Sequence, residues 1–171
     1  CWFKLSALNT GGQLYRCQTL MGRGNNYSGL VIFKDADPAG IPNMTGSQLS
    51  GHSLGFWVDT PTHTYPFWPH HTLLTVDGLW HHAAVSCDAT RIYMFLDGVL
   101  STESQVSSWA WTGQHSDAWS SSLTNRMTIG GGIWSEAQCV GLSYVDDFRT
   151  TIDTCRYTAD FNPPAGAFQD Q

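Results

Sequence analysis

Carboxylates, thiols with imidazoles, and aromatic rings are the residues of this chain that could do chemistry. Retaining glycoside hydrolysis needs two carboxyls about 5–5.5 Å apart. Only two glutamates occur, Glu103 and Glu136, and neither sits in a paired run. There is no G-x-S-x-G elbow to expose a nucleophilic serine, and His52 and Ser53 are merely neighbours in an apolar run. The cysteines, Cys1, Cys17, Cys87, Cys139 and Cys155, form no C-x-x-C pair, which excludes a zinc ribbon or a thioredoxin motif. In an oxidising compartment they allow two disulfides and an odd thiol, and otherwise they are small buried hydrophobes. Of the seven histidines, His70-His71 and His81-His82 are adjacent. On strands such neighbours diverge to opposite faces, whereas a metal site on one strand wants i and i+2. These absences predict a chain that is not an enzyme.

Aromatic rings are the richer signal. The chain has eight Trp, and 13% of its residues are aromatic. Rings of this kind fill cores, and they also give flat faces for stacking. Two segments concentrate them outside any regular pattern. Residues 59–71 carry three prolines with Tyr65, Phe67 and Trp68, and that proline density predicts a long loop rather than a central strand. Residues 107–125 carry Trp109, Trp111, Gln114, Asp117 and Trp119, read as a second long loop. Stacking rings with amide and carboxylate hydrogen-bonding groups suit glycan recognition. The same rings suit a subunit contact, because Trp and Tyr dominate protein hot spots.

Between these loops run short apolar segments with period two, broken by Gly, Pro, Asn and Asp. Strands are predicted at Trp2–Leu8, Leu14–Met21, Gly29–Phe33, His52–Val58, Thr72–Val76, Trp80–Cys87, Arg91–Leu96, Val99–Val106, Arg126–Ile129 and within Val140–Arg149. Asp97-Gly98 is a strong hairpin turn. No helical periodicity, internal repeat or linker is visible. The expectation is one all-β domain, a two-sheet antiparallel sandwich of jelly-roll type.

Composition narrows the partners. Charged residues are 13% of the 171, about half the usual share. Polar surface must then come from Ser, Thr, Asn, Gln and Gly, a habit of extracellular β-proteins. The net charge is −6, and the eight Lys and Arg are scattered, which argues against nucleic acid and against acidic membranes. No stretch approaches the roughly 20 apolar residues of a membrane span. No signal peptide is recognisable, and the start on Cys1 leads us to expect upstream residues removed or left out. Sequons at Asn26-Tyr27-Ser28 and Asn43-Met44-Thr45 make Asn26 and Asn43 candidate glycosylation sites, in keeping with an extracellular place.

The order of motifs resembles the laminin-G-like and concanavalin-A-like lectin and glucanase superfamily. Leu79-Trp80-His81-His82-Ala83-Ala84-Val85 is similar to its W-H-H-V-A-V strand, and Arg91 to Val99 to its L-Y-V-D-G hairpin. Met127-Thr128-Ile129-Gly130-Gly131 resembles its I-G-G strand end, and Tyr144 to Arg149 its I-D-D-V-R strand. Arg156 to Pro164 resembles an ending common in virion surface proteins. Residues 1–78 fit more loosely. The resemblance implies that Trp80 plugs the core, and that Asp146, Asp147 and Arg149 tie a strand end to a loop. It implies a lectin-like module of an extracellular, cell or virion surface, recognising glycans or surface proteins. A structural subunit of a fibre, virion or coat is the alternative. The glucanase run E-x-D-x-x-E is absent. Calcium is the cofactor the resemblance allows, with Asp35, Asp37, Asp146 and Asp147 as candidate ligands. Each pair alone offers too few oxygens. A strand that usually precedes the one at Trp2 is missing, so edge completion by a partner, a second copy or a further segment is expected.

Overall fold

A computed structural model describes residues 1–8, 17–23, 28–34, 51–57, 67–88, 92–101, 127–130 and 143–165. Ten strands occur among them and no helix: β1 (Trp2–Leu5), β2 (Cys17–Arg23), β3 (Ser28–Lys34), β4 (His52–Trp57), β5 (Phe67–Leu74), β6 (His81–Cys87), β7 (Ile92–Leu96), β8 (Val99–Leu100), β9 (Met127–Ile129) and β10 (Ser143–Asp146). No helix among the described residues could therefore cross a membrane.

The strands form two sheets in which every pairing is antiparallel. One runs β10-β1-β6-β7-β8 and the other β5-β4-β3-β2-β9. They share one core. Phe3, Leu5, Ala83, Met94 and Leu96 of the first sheet meet Leu20, Leu30, Ile32, Leu54 and Leu74 of the second. Each fully buried side chain of this size contributes about 1.5–3 kcal/mol relative to exposure. The all-β expectation with two antiparallel sheets holds.

Alternation explains which residues reach that core. Phe3 and Leu5 point inward while Trp2 and Lys4 point outward, giving β1 a strictly alternating burial. In β7, Ile92, Met94 and Leu96 share a face with Cys87, Val85 and Ala83 of β6. A bulge between Thr19 and Met21 lets Leu20 and Met21 both serve the core.

Two expectations are corrected here. The segment 59–71 is not loop throughout, because β5 begins at Phe67 and pairs Phe67, Trp68 and Pro69 with Trp57, Phe56 and Gly55. β5 lies at a sheet edge, where a proline is tolerated because one flank needs no donors. Its register shifts so that three residues, 70–72, span the position of Leu54. Trp80 does not plug the core either. It precedes β6 and is 43% exposed. It shares the alternation set of His82, Ala84 and Ser86, and the core takes the other set, with Ala83 and Val85. The two sets were legible, but the assignment of the inner one was reversed.

Candidate functional site: an aromatic row on the outer sheet face

β1 sits between β10 and β6, so residues paired across it share a face. Lys4 pairs with Tyr144, and Trp2 with Asp146 and His82. One step along the β1–β6 register puts Trp80 beside Lys4. The result is a row across three chains, Trp80, Lys4, Tyr144. The Lys4 ammonium lies 5.4 Å from the ring centre of Trp80 and 5.4 Å from that of Tyr144. Both distances are within cation–π range. Tyr144 is 59% exposed, and Leu79 beside the row is 61% exposed. Two flat rings held by one cation, with Asp146 exposed in the next row, can stack on an apolar ligand face and hydrogen-bond its polar groups.

The rest of this outer face is covered. His82 packs edge-on to Trp2 at 5.2 Å and to Phe161 at 5.7 Å. Phe161 stacks on Tyr157 at 3.8 Å, and both rings meet Phe95. Residues 155–161 thus run over β6 and β7 as a strap. The Asp97-Gly98 turn anchors it, since Phe161 N donates to Gly98 O at 3.0 Å and Leu100 N to Asp160 at 2.9 Å. Both turn residues have positive φ, 52° and 79°, as a type I′ hairpin turn requires. A Cβ on residue 98 would meet Phe161 O at 1.9 Å, so glycine is required there twice over. Burial pushes the His82 pKa down to about 4.

His81 lies on the opposite face, as the adjacent-pair argument predicted. Its Nδ1 lies 2.8 Å from Asp97 Oδ2 and its Nε2 3.1 Å from Asp77 Oδ2. Burial alone would lower its pKa, but the hydrogen bond and charge of Asp97, with those of Asp77, outweigh burial and raise it. Asp97 also accepts from His82 N at 2.7 Å, and Asp77 from Leu79 N at 2.9 Å. The cluster is a charged clamp that joins the β7–β8 turn to the segment before β6. Both imidazole nitrogens are engaged, so it offers no ligand atom. Among the described residues no group of three or more His, Cys, Asp or Glu could hold a metal ion.

A third feature lies where the strap approaches β6. A cavity of about 860 Å³ is lined in part by the apolar side chains of Met21, Leu30, Phe56 and Phe148. Residues of β6 and residues 149–157 also line it. Ser86 Oγ accepts from Tyr157 N at 3.2 Å and lies 3.3 Å from Cys155 Sγ. Cys1, Cys87 and Cys155 are free thiols. Cys87 is exposed at the surface, yet desolvation by its surroundings, then the neighbouring Cys155 and Asp88, push its thiol up, away from the reactive thiolate.

No family model, curated protein or solved structure matches the chain.

Of the residues expected to bind ligand, Phe67 and Trp68 lie on edge strand β5, paired with Trp57 and Phe56. Tyr65, Trp109, Trp111, Gln114, Asp117 and Trp119 lie outside the described residues, as do Asp35, Asp37, Asn26 and Asn43. Asp146 and Asp147 stand at the end of β10. Asp146 Oδ1 accepts from Asp147 N at 2.8 Å, and Asp147 has φ 47°. Arg149 reaches back to Tyr157 Oη at 3.4 Å. The sequence reading missed Trp80, Lys4 and Tyr144 as a site. The signal was present in the alternation of Trp2 and Lys4, but register across three strands is invisible without a structure.

Proposed function

We propose that this chain is a non-catalytic, lectin-like binding module that holds glycans on the outer face of its first sheet. The observation that carries the reading is the exposed row Trp80, Lys4, Tyr144. Rings present flat apolar faces to the C–H side of a sugar, while Lys4 and Asp146 supply a donor and an acceptor. The motif order from Leu79 to Pro164 supports a jelly-roll, laminin-G-like domain of an extracellular or virion surface. The segments bearing Tyr65 and Trp109 to Trp119, which lie outside the described residues, would extend the same binding role. A glycan array probed with the chain tests this. Binding to at least one glycan class should fall by about tenfold or more in Trp80→Ala and Tyr144→Ala, the loss of one stacking contact of about 1.4 kcal/mol. An array with no signal, or binding untouched by either variant, overturns the reading.

A second reading, an assembly subunit of a fibre or coat, is favoured by the exposed Leu79 flanking the row. Light scattering separates the two. A large native assembly with Trp80 buried would make the row a subunit contact.

A further inference from the structure

β1 is not the open edge expected from the sequence, because β10 and β6 flank it. Lys4 and Tyr144 of the aromatic row therefore stand on paired strands. Trp80 does not. The ladder between β1 and β6 ends at Phe3↔His81, and Trp80 lies one residue beyond it. Two side chains bracket the segment that carries this ring. Asp77 Oδ1 accepts from Leu79 N at 2.9 Å, and the two Asp77 oxygens lie 3.1 and 3.3 Å from His81 Nε2. His81 Nδ1 lies 2.8 Å from Asp97 Oδ2, and Asp97 Oδ1 accepts from His82 N at 2.7 Å. The link from the Asp97 turn to Asp77 thus passes through one imidazole. A carboxylate only accepts, so an imidazole between two carboxylates needs a proton on each nitrogen. A neutral ring has one N–H and keeps one of the two contacts. Asp97 holds the shorter. The lone pair of Nε2 then faces the Asp77 oxygens and repels them.

We propose that His81 is a proton-operated latch on the aromatic row. The imidazolium holds Asp77, and through the 77–81 bracket holds Trp80 against Lys4; the neutral ring lets that segment go. The charged groups facing His81 among the described residues are Asp77, from the segment before β6, and Asp97, from the β7–β8 turn. β1 presents the Phe3 ring, at 5.7 Å. Burial lowers the His81 pKa, but Asp97 and Asp77 raise it above the ordinary 6.5, so the latch opens as pH rises through that raised value. Glycan capture is then strongest on the acid side. That consequence rests on the function proposed above, whereas the latch itself rests on the geometry of residues 77–81 and Asp97.

An NMR titration of the 171-residue chain between about pH 5 and 9 reads both ends of the latch. The ε-methylene protons of Lys4 adjoin an ammonium 5.4 Å from each of two ring centres, so they carry a ring-current shift. That shift should shrink as His81 loses its proton, with the midpoint of the His81 ring titration. Asp77→Asn is the control. Its side-chain carbonyl still accepts from Leu79 N, and its amide donates to Nε2 of neutral His81, so the bracket stays closed and the Lys4 signal stays flat. A wild-type Lys4 signal that ignores the His81 titration overturns the proposal, and so does the same transition in Asp77→Asn. A glycan that binds the wild type should bind about tenfold more weakly above the His81 midpoint than below it, the weight of one charge-assisted hydrogen bond. In Asp77→Asn it should bind equally on both sides. A titrating Lys4 signal with no glycan bound leaves the latch standing and removes the glycan reading. Glycan binding with a flat Lys4 signal does the reverse.

Discussion

His82 sets a pH limit on the fold. Its side chain is 1% exposed, wedged between Trp2 and Phe161, and its pKa lies at about 4 instead of 6.5, mainly through burial. The native state therefore holds His82 neutral where the unfolded chain would already bind a proton. The stability this supplies is fully present above the unfolded pKa and is lost as pH falls through the folded one. A difference of 2.5 units at 1.36 kcal/mol each gives about 3 kcal/mol in full, of which about 2.5 kcal/mol is lost by about pH 4.5. Urea unfolding at a series of pH values reads this directly, with His82→Phe as the reference. Phenylalanine keeps a ring between the same neighbours and cannot titrate. The wild type should fall towards the variant or below it between about pH 6.5 and 4, by about 2.5 kcal/mol in unfolding free energy by about pH 4.5. Parallel profiles for the two proteins would refute the reasoning, because the proton would then not be excluded by folding.

Gly98→Ala should destabilise by about 2 kcal/mol or more, since the new Cβ meets Phe161 O and the residue must keep positive φ. Denaturation should show the loss, and Tyr157 fluorescence should report a released strap. His81 has the opposite linkage to His82. Its raised pKa means that its contribution is complete below about pH 6.5 and is lost as pH rises through the folded value. NMR titration of its ring should find that pKa above 6.5 in the wild type and closer to it in Asp97→Asn. Leu54→Ala, at a side chain with no exposure in the shared core, should cost about 2–5 kcal/mol in urea unfolding.

Much of this architecture was legible because it is local. The Asp97-Gly98 turn, the divergence of His81 from His82 and the positions of most strands each follow from a few neighbouring residues. What was misread depends on partners distant in sequence. Trp80 looks like a core residue because it is large and begins an alternating strand. Only the docking of residues 155–161 on the His82 side shows that this face is the outer one. Pro69 looked incompatible with a strand because nothing in the sequence says that β5 is an edge. The aromatic row needs residues 4, 80 and 144 together, a coincidence of register that no single segment encodes.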